Sequence, residues 1–171
     1  MTFSRRFLLA ATLFLVTGSV SGFKGQWIVR FRGVGPVKIG MTLQQLNTVL
    51  NEHFSLPSDK EEHECFYVTP SKHSGVSFMI LNGRVARADV DERGVASSGG
   101  IQIGNTEADA ERVYGKRLKI TPHAYTAPEG HYLTVISNDG AYGMRFETDQ
   151  GRIVTFYAGR VDAIQFVEGC Q

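Results

Sequence analysis

The sequence predicts an α+β fold in which a short helix followed by a three-stranded antiparallel meander occurs twice, both helices packing on one face of an antiparallel sheet. Segments beginning at Val37 and Ile101 share one apolar pattern, and each leads into a helix start. A predicted hairpin follows each helix, and the two hairpins align with each other over several matching positions. We therefore expect a tandem duplication, with repeat one at approximately 37–90 and repeat two at approximately 101–158.

The N-terminal segment, residues 1–22, has the three parts of a secretory signal peptide. Two arginines precede an apolar run, and small residues then offer a cleavage site between Ser19 and Phe23. The apolar run is shorter than the roughly 20 residues that a spanning helix needs, so we expect no stable membrane anchor. Removal, by the general or the twin-arginine route, would leave a single exported domain at 23–171.

The charge balance of the chain argues against two kinds of binding partner. The chain has 18 basic and 17 acidic side chains, and loss of Arg5 and Arg6 with the signal leaves a net charge of −1. Nucleic-acid binding rewards a concentrated basic face, so we expect no nucleic-acid partner. Electrostatic attachment to a membrane is disfavoured for the same reason.

Cys65 and Cys170 are the two cysteines of the chain. An even pair in an exported protein predicts one disulfide, here between the middle of the chain and its C-terminal end. Two free thiols in a redox or metal site are the alternative, but no C-x-x-C spacing is present. Export and a disulfide together predict a periplasmic or extracellular location.

The first repeat begins after an opening strand predicted at Gln26–Arg32, where apolar and polar residues alternate. Thr42 and Thr106 are the predicted N-caps of the two helices. Three residues later, Gln45 and Asp109 complete capping boxes. Each helix has an apolar stripe, and a C-terminal glycine, Gly115, ends the second.

Each predicted helix leads into strands. The first strands of the two meanders are expected at Phe66–Val68 and Tyr132–Ile136, and Asn82-Gly83 and Gln150-Gly151 form the hairpin turns. Apolar side chains of the following strands should line one face: Val76, Phe78 and Ile80 in the first copy, Met144 and Phe146 in the second. Residues 91–100 are the predicted linker, and 161–168 a closing strand.

The segments Ile39-Gly40-Met41-Thr42 and Ile103-Gly104-Asn105-Thr106 carry a resemblance. An apolar-Gly-Met-Thr helix start followed by a β meander resembles the β-lactamase-inhibitor-protein-like fold, which includes small outer-membrane assembly lipoproteins and a secreted tandem inhibitor. The resemblance implies a scaffold whose sheet presents a surface to another protein. This chain offers one helix per copy and lacks the lipid-bearing cysteine of the assembly proteins. The segment 122–133 is similar to a stretch in uncharacterised small exported bacterial proteins.

That segment contains the predicted binding site. It concentrates polar and aromatic side chains in a loop without a counterpart in the first copy: His123, Tyr125, Glu129, His131 and Tyr132. Aromatic residues with charged neighbours are typical of interface hot spots. In the alternative reading, the two tyrosines plug the end of the sheet and the histidines face water.

The sequence supports a catalytic site or a metal site less well than it supports a protein-binding site. His123, Glu129 and His131 supply three candidate zinc ligands, but their spacing matches no known zinc signature. The histidines at 53, 63 and 73 recur in a polar stretch that we interpret as a solvated loop. There is no nucleophile elbow and no His-Glu-x-x-His motif. We predict no cofactor, no metal and no enzymatic activity.

These observations predict a non-enzymatic protein-binding module, periplasmic or secreted, of the inhibitor or immunity type. Its expected partner is another protein, an envelope or secreted enzyme such as a hydrolase. One alternative is a metal-binding or hydrolytic envelope enzyme that uses the loop from His123 to His131. The other is a structural protein of the envelope or of outer-membrane assembly.

Overall fold

A computed structural model of the protein describes residues 27–60 and 63–170. The predicted signal peptide lies outside these residues. Within them the chain is α+β, and no helix is long and apolar enough to cross a membrane. The elements, in chain order, are β1 (Ile28–Arg30), β2 (Gly33–Val34), β3 (Val37–Lys38), α1 (Leu43–Leu50), β4 (Cys65–Val68), β5 (Val76–Leu81), β6 (Arg84–Val90), β7 (Ala96–Ser97), α2 (Glu107–Tyr114), β8 (Lys119–Pro122), β9 (His131–Ile136), β10 (Tyr142–Asp149) and β11 (Arg152–Arg160).

The described strands form two sheets, where one was predicted. The larger is antiparallel and has the order β4-β5-β6-β11-β10-β9-β8. The smaller has the order β3-β2-β1-β7, in which β1 and β7 are parallel. The second sheet arises because the opening strand is short and turns back at once into β2 and β3.

Both helices begin as the sequence predicts. The Thr42 hydroxyl accepts from the Gln45 backbone N–H at 3.2 Å, and the Gln45 side chain accepts from the Thr42 N–H at 2.9 Å. Thr106 and Asp109 make the same two bonds at 3.2 and 2.9 Å. Both capping boxes are therefore confirmed. At their other ends, the helices are closed by Asn51 and Gly115.

The core lies between the helices and one face of the large sheet. Leu46 of α1 and Ala110 of α2 are fully buried in the same cluster. The predicted inward-facing residues of both copies join them there: Val76, Phe78, Ile80, Met144 and Phe146. Burial of this apolar surface is the main stabilising contribution to the fold.

Both predicted hairpin turns are confirmed. Asn82 and Gly83 have φ of 51° and 73°, and Gln150 and Gly151 have φ of 47° and 74°. Two successive residues with positive φ are what a two-residue turn between right-twisted strands requires, which explains the asparagine and the glycines.

The two halves of the large sheet share local details when they are aligned at these turns. Arg84 donates to the Gly40 carbonyl at 2.9 Å, and Arg152 donates to the Gly104 carbonyl at 3.0 Å.

The strand registers follow the same alignment. A bulge follows Met79 in one hairpin and the aligned Glu147 in the other. At the junction between β6 and β11, Ala88 pairs with Ala158 and Val90 pairs with Phe156. When the two hairpin turns are aligned, Ala88 corresponds to Phe156 and Val90 corresponds to Ala158, so each pair is superimposed on the other. The junction therefore has approximate internal symmetry.

Two boundaries differ from the prediction. Within the described residues, the opening strand spans Ile28–Arg30 and does not continue to residue 32, because a turn begins at Phe31. The expected linker 91–100 contains β7, which pairs with β1.

The closing strand predicted at 161–168 is wrong, since Ala163–Gln165 forms a 3-10 turn. The buried Ala163 and Ile164 produce the apolar pattern, but they pack against the sheet instead of extending it. Their close packing depends on Gly143, because a Cβ there would lie 2.3 Å from the Ile164 Cδ1.

Candidate functional site

The face of the large sheet opposite the helices has several charged and tyrosine side chains. In β6, Arg87 and Asp89 alternate with the core residues Ala88 and Val90, and β10 repeats this arrangement. Because strand side chains alternate between faces, the charged residues collect on the side away from the helices. We call this set the polar face: Tyr67, Arg87, Asp89, Tyr132, Arg145, Glu147 and Tyr157.

Arg87 lies at its centre and is almost completely buried. Its Nε and Nη2 donate to the two carboxylate oxygens of Asp89, each at 2.7 Å. Nη2 also donates to the Tyr67 hydroxyl at 2.7 Å, and that hydroxyl donates to Asp89 at 3.0 Å. This bidentate geometry is the strongest pairing available to an arginine and a carboxylate.

A second group of contacts continues across β11, β10 and β9. The Tyr157 hydroxyl donates to Glu147 Oε1 at 2.8 Å, and His123 Nε2 lies 3.2 Å from Glu147 Oε2. The His123 ring packs on Tyr132 with centroids 4.4 Å apart, and Arg145 Cζ lies 4.9 Å from the same tyrosine centroid.

Tyr157 and Tyr67, two tyrosines of the polar face, are held in their protonated form. Burial raises the pKa of Tyr157, and the neighbouring Glu147 carboxylate raises it further. Burial also raises the pKa of Tyr67, with Asp89 acting in the same direction. Both hydroxyls therefore act as hydrogen-bond donors to carboxylates and are poorly suited to act as bases.

The C-terminal segment covers much of this face. Arg87 Nη1 donates to the carbonyls of Ala163 and Phe166 at 3.0 and 2.9 Å. Arg145 Nη2 donates to the Gln165 side chain at 2.6 Å. Within the described residues, no buried side-chain nitrogen or oxygen lacks a partner. The polar face is therefore a satisfied network beneath a cover, and the cover supplies the accessible surface.

The predicted disulfide between Cys65 and Cys170 is present and holds that cover at its far end. It joins the edge strand β4 to the last described residue. Such bonds are typical of proteins that fold in an oxidising compartment. The segment 163–170 is thus held at one end by Arg87 and at the other by a covalent bond.

The predicted binding residues separate onto two sides of the sheet. His123 and Tyr132 join the polar face. Tyr125 lies beside it, with its side chain two-thirds exposed and its hydroxyl bonded to Glu168. Glu129 is on the exposed surface of the loop.

His131 points the other way, because it neighbours Tyr132 on the same strand. Its Nδ1 lies 2.9 Å from Glu107 Oε1 at the start of α2, and Thr148 donates to the same oxygen at 2.5 Å. This histidine thus connects β9 and β10 to the second helix. A ligand set made of His123, Glu129 and His131 is not assembled.

In the part of the chain that the structure describes, no three His, Cys, Asp or Glu side chains are placed to hold a metal ion. Of the histidines interpreted as solvated, His73 stacks on Trp27 with ring centroids 3.7 Å apart, and His63 Nε2 lies 2.9 Å from the Pro57 carbonyl.

The sequence alone did not predict the part of the exposed surface that the C-terminal segment 166–169 supplies. Phe166 and Val167 are exposed, and with Tyr125, Glu168 and Gly169 they line a cleft of about 440 Å³. We call the loop 124–129 together with the segment 166–169 the contact surface. Nothing local in the sequence joins these segments, which lie far apart in the chain. The alternation of charges in β6 and β10 was a readable signal for the polar face beneath them.

Comparisons with known proteins add little. No protein-family model matches the chain, and no curated protein matches its sequence. One solved structure, an extracellular protein containing a SCP domain from Bacillus anthracis, is similar with 11% identity and a TM-score of 0.47. The match covers 74% of this chain and 45% of that protein, so the chain spans less than half of its length. A similarity of this strength carries no argument about function.

Proposed function

We propose that this protein is an exported, non-enzymatic protein-binding module of the inhibitor or immunity type, and that the contact surface binds its partner. The observation that carries the proposal is the exposed aromatic side chain of Tyr125 beside Phe166 and Val167, around one cleft. Large aromatic residues beside exposed apolar ones are typical of binding hot spots.

The contacts that hold this surface in place support the same proposal. The segment 166–169 is held by Arg87 on one side and by the disulfide at Cys170 on the other. A binding surface that is already ordered loses less conformational entropy when a partner docks. The Tyr125 to Glu168 bond links the loop to this segment. The proposed partner is a secreted or envelope enzyme, such as a hydrolase, whose accessible site receives Tyr125.

A tandem duplication is part of the proposal. The paired arginine contacts of Arg84 and Arg152, the two capping boxes and the bulges at aligned positions support descent from one helix-meander unit. In this reading the contact surface lies where the copies differ, because the loop between β8 and β9 has no counterpart in the first copy. The resemblance to the β-lactamase-inhibitor-protein-like fold remains a prediction.

Capture of partners, followed by a test of inhibition, addresses the proposal. The tagged domain 23–171 would be crosslinked in an envelope extract and in culture medium, and captured proteins identified by mass spectrometry. The captured enzyme would then be assayed with increasing amounts of the untagged domain. We expect one stoichiometric hydrolase whose activity falls as the domain is added.

Variants make this test specific to the contact surface. Tyr125→Ala should weaken inhibition about tenfold or more, as hot-spot truncation does, with little change in melting temperature because the side chain is exposed. Val113→Ala is the matched control, since Val113 is an exposed apolar residue on α2. Capture of no enzyme, or inhibition that Tyr125→Ala leaves intact, would contradict the proposal. Co-purification with membranes instead would favour the envelope-assembly alternative.

A further inference from the structure

A cleft of about 510 Å³ lies away from the contact surface, where four parts of the chain meet. These parts are the turn between β1 and β2, the residue after β7, the 3-10 turn Gly115–Arg117 after α2, and the turn between β9 and β10. We call it the arginine cleft after its three guanidinium groups. Its polar lining consists of Arg30, Arg32, Arg117, Ser98, Ser137, Asn138 and Asp139.

Two of these arginines have no carboxylate partner among the residues that the structure describes. Arg30 makes no ion pair there, and Arg117 has only a 3.5 Å contact from Nη1 to Asn138 Oδ1. Arginine is normally placed where its donors meet acceptors, and a planar guanidinium matches oxyanions in particular. The two groups therefore have donor capacity directed to a cavity.

Arg32, the third arginine of the cleft, is held in one orientation by its contacts. Arg32 pairs with Asp139, and its Cζ lies 4.4 Å from the Tyr142 ring centroid. Asp139 also accepts from the Ser137 hydroxyl at 2.5 Å and from the Ala141 N–H at 3.2 Å. The Ser137 hydrogen bond is the main cause that lowers the pKa of Asp139, so this carboxylate stays charged and holds Arg32 in place.

The positive charge extends beyond this cleft. A neighbouring cavity of about 440 Å³ shares Arg30 and Arg32 and adds Lys38. The combined lining has four cationic side chains and one carboxylate, Asp139. The whole chain, by contrast, has nearly equal numbers of basic and acidic residues. The lining of these two cavities therefore has an excess of positive charge, which creates a local positive potential.

We propose that the arginine cleft binds a dianionic oxyanion group, specifically a phosphate monoester. A monocarboxylate has one negative charge, and would neutralise only one of the two guanidinium groups of Arg30 and Arg117. A phosphate monoester presents three terminal oxygens, enough for both arginines and for the Ser98 or Asn138 donors. The cleft is larger than a phosphate group, and Phe31 offers an apolar surface to an organic substituent.

Titration calorimetry on the domain 23–171 at low salt would test this site with three probes: inorganic phosphate, phenyl phosphate and benzoate. We expect phenyl phosphate to bind more tightly than inorganic phosphate, and benzoate to bind weakest. Affinity should fall as sodium chloride is added, because the attraction is electrostatic.

Two substitutions locate the binding. Arg30→Gln and Arg117→Gln should each weaken phenyl phosphate binding about tenfold, the loss expected when a charge-assisted contact is removed. Neither side chain makes an ion pair in the described part of the chain, so both variants should keep the wild-type melting temperature. Arg112→Gln is the matched control: it removes the same charge from an exposed position on α2 outside the cleft.

Vesicles that contain phosphatidic acid distinguish a lipid headgroup from a soluble ester, since both present a phosphate monoester. Sedimentation with these vesicles, lost in Arg30→Gln, would assign the lipid source. Binding of phenyl phosphate alone would assign a soluble ligand. The proposal is overturned if neither probe binds, if benzoate binds as tightly as phenyl phosphate, or if Arg112→Gln weakens binding as much as the cleft variants. None of these outcomes depends on the contact surface, so the two proposals can fail separately.

Discussion

Arg87 lies over the ring of Tyr157, with the guanidinium carbon 4.2 Å from the ring centroid. The same guanidinium binds Asp89 with two hydrogen bonds and reaches the C-terminal segment with two more. One side chain thus joins two strands of the sheet to the segment that covers them.

Arg87→Leu should destabilise the domain by about 3–5 kcal/mol, because it leaves the partly buried Asp89 charge and the covered carbonyls without their donor. Urea denaturation measures the change. Arg112→Gln, at an exposed ion pair, should change stability by about 1 kcal/mol at most. Equal effects of the two substitutions would mean that the Arg87 network contributes no more than a surface pair.

Loss of the disulfide should lower stability and loosen the contact surface. The bond joins residues separated by 105 positions, a loop for which the chain-entropy model gives about 4–5 kcal/mol. In the Cys65→Ser/Cys170→Ser variant, amide exchange should accelerate in the segment 163–170 before it does so in the core strands. Hydrogen exchange read by mass spectrometry measures this order, and uniform acceleration would contradict it.

The capping box of α2 should make stability depend on pH under acidic conditions. The Thr106 N–H donates to the Asp109 carboxylate, and this bond is the main cause that lowers the pKa of Asp109 to about 2. A carboxyl group with a lower pKa in the folded state stabilises the fold above its unfolded pKa. The stabilisation is lost as pH falls from about 4 towards the folded value of about 2.

Asp109→Asn isolates this effect. Its unfolding free energy should decline less steeply than that of the wild type between these two pH values, as followed by urea titrations at each pH. Gln45→Glu is the converse variant, because it places a carboxylate at the matching position of α1 and should add a pH dependence of the same sign. Parallel curves for wild type and Asp109→Asn would contradict the assignment.

Gly159→Ala should disturb the junction of the two meanders. An added Cβ at Gly159 would lie 2.2 Å from the Ala86 carbonyl oxygen of the neighbouring strand, and a backbone atom cannot rotate aside as a side chain can. We expect a loss of about 1–3 kcal/mol or more, as overpacking produces, measured by thermal and urea denaturation. An unchanged melting temperature would mean that β6 and β11 separate at little energetic cost.

The features that the sequence predicted correctly depend on neighbours in the chain. Thr42 with Gln45 and Thr106 with Asp109 are each three positions apart, so the capping boxes need no tertiary information. Asn82-Gly83 adopts positive φ for local steric reasons. The disulfide was predictable for another reason: a chain with two cysteines allows only one intramolecular pairing.

The incorrect or missed features depend on contacts between distant residues. Apolar spacing in 161–168 fits a strand, yet only the sheet shows that Ile164 packs above Gly143. His131 and Tyr132 are adjacent in the sequence, and strand alternation places them on opposite faces of the sheet. Proximity in the sequence therefore misrepresented which residues of the predicted site act together.

The helix starts, the hairpins, the disulfide and the α+β class could all be read from the chain, because they follow from short-range sterics, capping and residue counts. The alternating charges of β6 and β10 indicated a polar face, but the contacts of the buried arginine network emerged only with the three-dimensional fold. The same fold brought Tyr125 beside Phe166 and gathered Arg30, Arg32 and Arg117 around one cleft. Such surfaces arise from the register and twist of strands far apart in the chain, and local sequence preference carries no information about them.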